Sequence, residues 1–224
     1  MTSTECRKML GGAIHVPTGA KVIRRMIQAM GGTEGEGLRW ADVASGVGTT
    51  AAAAQVAATA EGIGFEYVAA AERNGKAARV NEMAWGRGKK GKRMYRGEAE
   101  SRNWGRLRGR VDAIGVTLNC GKWSKLERKQ GRERKTREAL EEMGRVMRAV
   151  AAAEPRAVVV ESVAEMLEGG ERDAEGKQYE EVLKMAFPGM EWRAQALDAH
   201  RHGAAAMTRW RGFWVGVQGG WQEG

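Results

Sequence analysis

Between Trp40 and Glu72 the chain runs strand, glycine turn, helix, strand, and few folds accept that order. Trp40 to Val43 is a short apolar run that enters Ser45-Gly46-Val47-Gly48-Thr49-Thr50, and the segment after it is rich in alanine, the strongest helix former. Phe65 to Ala71 is a second apolar run ending at Glu72, followed by a helical pattern over Gly75 to Trp85. Two buried strands joined by a helix predict parallel pairing and a right-handed crossover. Glycines between the first strand and its helix let a ligand approach the main chain where a side chain would block it. Glu72 follows Gly48 by 24 residues, a spacing that suits an acid accepting ribose hydroxyls of a nucleoside held over the turn. The same glycine pair also occurs in plain tight turns, and the third glycine of dinucleotide-binding dehydrogenases is absent. The expected fold is α/β and Rossmann-like, a mostly parallel sheet with helices on both faces.

The next constraint is Asp112 to Ser124. Its apolar run starts at an acid and stops at Asn119-Cys120, which places a cysteine at the carboxyl end of a buried strand, where open α/β sheets bind their ligands. A single cysteine is often only a small buried hydrophobe. Here Lys122, Lys125, Arg128, Lys129, Arg132, Arg134 and Lys135 follow it, and such neighbours favour a thiolate and suit a polyanion.

The remaining elements are read from periodicity. Val22, Ile23, Met26, Ile27 and Met30 give a helix over residues 18 to 30, and Leu140, Met143, Val146, Met147 and Val150 give another over Thr136 to Ala153. Ala157 to Val160 is a buried strand ending at Glu161-Ser162-Val163, and Met166 and Leu167 open a short helix or turn. Gly169 to Gly176 is expected to be a polar loop. Gln178 to Ala186 is a helix, Trp192 to Leu197 an edge strand and Arg211 to Val217 the last strand, with a frayed tail from Gln218. The Gly86 to Arg96 and Ser101 to Arg110 stretches interleave Tyr95 and Trp104 with basic residues, which fits either a solvated loop or a nucleic-acid contact.

At 224 residues one α/β domain spanning 1–224 is expected, with a core over residues 38–217. The net charge of +9, from 37 basic against 28 acidic residues, makes a polyanion the first partner to consider. Cys6 and Cys120 form no Cys-x-x-Cys pair, so neither a disulfide framework nor a zinc site is suggested, and no metal is expected. No apolar run approaches the roughly 20 residues that span a bilayer. A soluble, intracellular protein away from membranes is expected.

Taken in order, Asp42-Val-Ala-Ser45-Gly46-Val-Gly48, Ala71-Glu72, Gly97-Glu98, Asn119-Cys120 with Ser124, Glu161-Ser162-Val163 and Arg209-Trp210-Arg211-Gly-Phe-Trp-Val-Gly216 resemble the DNA cytosine-5 methyltransferase family. The resemblance covers most of the chain. It implies an S-adenosylmethionine-dependent methyltransferase fold in which Ser45, Gly46, Gly48, Glu72 and Glu98 hold S-adenosyl-L-methionine, Glu98 at the adenine. It implies that Cys120 attacks carbon 6 of the cytosine ring, that Glu161 hydrogen-bonds the ring nitrogen, and that Arg209 and Arg211 lie near the target base. Such an enzyme takes its base out of a duplex, so a basic, mobile lid is needed, and Lys122, Ser124, Lys125, Arg128 and Lys129 are the residues expected at the nucleic acid. Leu10-Gly11-Gly12-Ala-Ile-His-Val-Pro17, followed by the helix over 18–30 so that the segment spans 11–30, is similar to the family's last motif, which places Gly12 at the cofactor and suggests a circularly permuted order. An ordinary glycine turn before a helix is the other reading.

The chain departs from the family pattern at several points. Asn119 stands for the proline before the nucleophile, Gly121-Lys122-Trp123 follows it, Ser162 stands for the Asn of Glu-Asn-Val, Ala44 for Phe and Met207 for Gln. No segment after Gly216 or before Gly11 is long enough to be a target-recognition region, which leaves three readings open: recognition supplied by a separate chain, a fragment, or a decayed copy. Two alternatives stay open: a noncatalytic methyltransferase-fold subunit that binds nucleic acid or a protein partner, and an RNA cytosine-5 methyltransferase.

Overall fold

The computed structural model describes residues 14–32, 37–86, 93–117, 132–164, 171–203 and 210–221. In chain order these form α1 (Val16–Ala29), β1 (Gly37–Val43), α2 (Thr49–Ala60), β2 (Gly64–Ala71), α3 (Gly75–Trp85), β3 (Arg93–Tyr95), two 3-10 turns (Ala99–Ser101 and Trp104–Leu107), β4 (Ala113–Thr117), α4 (Arg132–Ala151), β5 (Ala157–Val163), α5 (Glu171–Ala186), β6 (Met190–Asp198), α6 (Ala199–Gly203) and β7 (Trp210–Gln218). The strands make a seven-stranded sheet in the order β3-β2-β1-β4-β5-β7-β6. All neighbours from β3 to β5 are parallel, while β7 runs antiparallel between β5 and β6. The chain winds outward in both directions from β1 and β4, and the crevice at their carboxyl ends is where such sheets take ligands.

Apolar side chains cover both faces, which is why the central strands carry continuous apolar runs instead of alternation. On one face Trp40, Tyr67, Ala113 and Val159 pack with α1 and α2. On the other Ala41, Val43, Ile114, Val158 and Val160 pack with α4, α5 and the 3-10 turns. Helix α1 begins with Pro17 in its first turn, a position whose N–H would be orphaned anyway, and buries Val22, Ile23, Met26 and Ile27. A Cβ on Gly19 would stand 3.1 Å from that of Ala53, so the glycine lets α1 lie close on α2. Further along, Arg24 and Gln28 both bond Glu61 beyond the end of α2. The two helices therefore run in the same direction, and the start of α1 lies beside the first turns of α2.

At the amino end of the sheet, the acid that opens the 112–124 stretch has a structural task. Asp112 accepts from Arg39 Nε at 3.0 Å, Arg39 Nη2 at 2.6 Å and the Arg39 backbone N–H at 2.8 Å, and Arg39 Nη1 donates to the Gly109 carbonyl at 2.7 Å. This clasp joins the first residues of β1 and β4.

Several expectations need correction. Trp104 is 1% exposed and donates its indole N–H to the Ala99 carbonyl, so it belongs to the core and is not a nucleic-acid platform. Tyr95 likewise packs against the core. Residues 171–176 are helical, forming the first turns of α5, where glycine content had suggested a loop. Glu161, Ser162 and Val163 continue β5, because β7 extends the ladder to Val163 opposite Arg211. The tail is tied down as far as Trp221, whose indole donates to the Glu191 carbonyl and lies under Arg193. The Met166-Leu167 segment lies outside the described residues.

Candidate active site at the carboxyl edge of the sheet

The glycine turn between β1 and α2 is built from left-handed backbone. Gly46 has φ 52° and Gly48 φ 88°, and Gly48 leaves no room for a side chain: a Cβ there would stand 2.6 Å from Trp85 Nε1 and 2.9 Å from Asn81 Nδ2. A Cβ on Gly46 would instead meet open space, so the upper side of the turn is accessible. Ala44 just before it also has φ 51°, a conformation that costs a non-glycine residue on the order of 1 kcal/mol. Thr117 Oγ1 at the end of β4 donates to the Ala44 carbonyl at 3.2 Å, tying the two central strand ends together at the strained residue.

Glu72 closes over this turn. It is 8% exposed, and its two oxygens accept 2.7 Å hydrogen bonds from the backbone N–H groups of Gly46 and Asn74. The carboxylate thus bridges the glycine turn and the start of α3, which Asn74 caps through Lys76 N and Ala77 N. Ser45 is buried beneath the turn, with its side chain toward the Tyr67 hydroxyl. A pinned carboxylate beside an open left-handed glycine fits a nucleoside with polar substituents, such as S-adenosyl-L-methionine. Glu98 follows β3 at the same edge, half exposed and ion-paired with Arg73 Nη1 at 3.6 Å.

Beneath the turn lies a buried polar network that sequence reasoning left without a role. Asp42, fully buried, accepts from the Trp40 indole at 2.6 Å and the Tyr67 hydroxyl at 3.0 Å, and Asn81 donates to that hydroxyl at 3.3 Å. Burial, with the Asp42 charge adding to it, pushes the Tyr67 phenol well above its usual value, so it stays a neutral donor. The available signal was an aspartate inside an otherwise apolar strand.

On the far side of the edge, β5 carries Glu161, 2% exposed and in register with Thr117 on β4. Arg211 on β7 places Nε 2.8 Å from Glu161 Oε1, an ion pair outside hydrogen-bond geometry, and its Nη1 donates to the Trp210 carbonyl at 2.9 Å. The structure therefore brings together Ser45, Gly46, Gly48 and Glu72 as one group, with Glu98 nearby, and Glu161 with Arg211 as a second, at the same edge. Cys120 follows Thr117 by three residues, and it lies outside the described residues, as do Gly12, Lys122, Ser124, Lys125, Arg128, Lys129 and Arg209.

This sheet, with its glycine turn and helices on both faces, is the Rossmann-like fold of S-adenosylmethionine-dependent methyltransferases. No protein-family model matches the sequence, and neither does any curated protein. Among solved structures, the chain is similar to a protein named as a DNA modification methyltransferase encoded within an E. coli prophage, with TM-score 0.58 and 17% identity over 81% of this chain and 47% of that one. It is also similar to the S. pombe Dnmt2 methyltransferase, with TM-score 0.54 and 15% identity over 84% of this chain and 51% of that one. The chain spans about half the length of these two structures. At such identities the likeness concerns the fold. Among the described residues, no helix is long and apolar enough to cross a membrane.

Proposed function

We propose that the chain is the catalytic domain of an S-adenosylmethionine-dependent nucleic-acid methyltransferase acting on carbon 5 of cytosine in DNA, with Cys120 as nucleophile. The observation that carries this reading is the buried Glu161 beside Arg211, in register with Thr117, from which Cys120 is three residues away. Ser45, Gly46, Gly48 and Glu72 would hold the cofactor, with Glu98 on its adenine side. When bound, that cofactor supplies an electrophilic methyl group.

The chain's own residues account for the rest of the chemistry. A cytosine carbon 5 is a poor nucleophile. Addition of the Cys120 thiolate to carbon 6 forms a C–S bond and moves the ring double-bond pair toward carbon 5, which then takes the methyl group. Glu161 hydrogen-bonds the ring nitrogen that gains electron density, and Arg211 fixes the carboxyl group from the neighbouring strand. Loss of the proton from carbon 5 and cleavage of the C–S bond restore the ring and return the thiolate. The basic residues Lys122, Lys125, Arg128 and Lys129, with Ser124, are assigned to nucleic-acid binding, and Arg209 and Arg211 to the target base.

The test is transfer of labelled methyl to duplex DNA, and in parallel to RNA. Cys120→Ala is expected to abolish transfer and to abolish the covalent adduct with a 5-fluorocytosine duplex. Transfer persisting in that variant would overturn the assignment, and transfer to RNA alone would move the substrate.

A further inference from the structure

We infer that Trp210 is a stacking platform for an unpaired base of the nucleic-acid substrate, an inference that rests on the function proposed above. The described tryptophans otherwise have assigned partners. Trp40 donates to Asp42, Trp104 to the Ala99 carbonyl and Trp221 to the Glu191 carbonyl. Trp85 packs on Phe65 and Tyr67, Trp192 on Phe187, and Trp214 on Tyr179. The indole of Trp210, 40% exposed, makes no such hydrogen bond or ring contact among the described residues. A large apolar ring with a polar N–H, held toward water with no internal task, is the kind of side chain that gains most from covering a flat partner.

Its position says which partner. Trp210 is the first residue of β7, paired with Asp198 at the end of β6, so it stands at the carboxyl edge of the sheet. Its neighbour Arg211 bonds the Trp210 carbonyl at 2.9 Å and reaches Glu161 at 2.8 Å, which fixes the indole's backbone to the carboxylate assigned to the target ring. Alternation along β7 sends Trp210 to the face of Trp214 and Arg211 to the opposite face, so the indole lies outside the Glu161 pocket while being one residue from it. An aromatic face beside a catalytic pocket on a chain of net charge +9 suits a base next to the target, since every base has a π face and the charge holds the phosphates.

The experiment compares binding of the full chain to a fluorescent single-stranded cytosine-containing oligonucleotide and to the same strand with abasic residues flanking the cytosine. Wild type is expected to prefer the full strand by roughly tenfold, the order expected for one stacked base. Trp210→Ala should erase most of that preference while leaving affinity for the abasic strand within about twofold, and Trp210→Phe should restore most of it. A Trp210→Ala preference equal to wild type overturns the stacking role while the methyltransferase reading stands. A wild type that binds neither strand overturns both.

Discussion

Two buried acids sit at opposite ends of this sheet, each facing an arginine from a neighbouring strand, and they are held differently. Asp112 at the amino edge takes two guanidinium donors and a backbone N–H from Arg39, all within 2.6–3.0 Å and aligned as hydrogen bonds. Glu161 at the carboxyl edge meets Arg211 Nε at 2.8 Å out of alignment, while Arg211 Nη1 serves the Trp210 carbonyl. The first arrangement consumes the donors in joining two strands, so its energy is spent on the fold. The second sets a buried acid at the ligand-binding edge of the sheet, beside an arginine that also serves the main chain of its own strand. Charge-assisted, aligned bonds are the strong ones, and alignment is what separates the two pairs.

Isosteric substitutions break the comparison most sharply. Asp112→Asn removes the charge from a buried acid paired with a partly exposed arginine and is expected to cost about 2 kcal/mol of stability, read as a fall in urea midpoint. Glu161→Gln is expected to cost less than half of that while lowering methyl transfer about 100-fold, the scale for a group that assists proton placement. Equal stability losses at the two sites would show that the Glu161 pair is a structural clasp as well.

Glu72 offers an intermediate case, a carboxylate whose hydrogen bonds among the described residues come from backbone donors. As a carboxylate it accepts from both Gly46 and Asn74 at 2.7 Å; as an amide it would accept one and present an N–H to the other. Glu72→Gln is expected to weaken S-adenosyl-L-methionine binding by about tenfold or more in isothermal titration, with a stability cost of about 1–2 kcal/mol. Unchanged affinity would place the cofactor elsewhere.

Most of the scaffold was legible because local signals agreed with the global fold. The glycine pair, the alanine-rich helix and the apolar run to Ala71 all point to one strand-helix-strand unit, and α3 occupies the expected Gly75–Trp85. What stayed hidden was decided by contacts distant in sequence. Trp104 sits in a stretch as basic as any surface loop, and only packing between α4 and the sheet buries it. Asp42 gains the Tyr67 hydroxyl from β2, 25 residues away, and Arg39 finds Asp112 across 73. The first turns of α5 carry Gly176 and charged residues with no apolar period, so the helix was visible only from Gln178 on.

A third acid sharpens the comparison at the smallest scale. Asp42 is as buried as Asp112, yet it accepts from neutral donors, among them the Trp40 indole and the Tyr67 hydroxyl. Because burial and the Asp42 charge hold the Tyr67 phenol well above its usual value, the folded state keeps a proton that the unfolded chain gives up near pH 10. With more protons bound in the folded state, stability falls as pH rises above that value. Below it, the hydrogen bond contributes its full share, about 1 kcal/mol by ordinary scales. Tyr67→Phe should therefore cost about 1 kcal/mol at pH 7, read from urea midpoints, and the gap between variant and wild type should narrow and then reverse as pH climbs past 10. A gap that stays constant with pH would mean that the Tyr67 proton is as easily lost in the folded protein as in the unfolded chain.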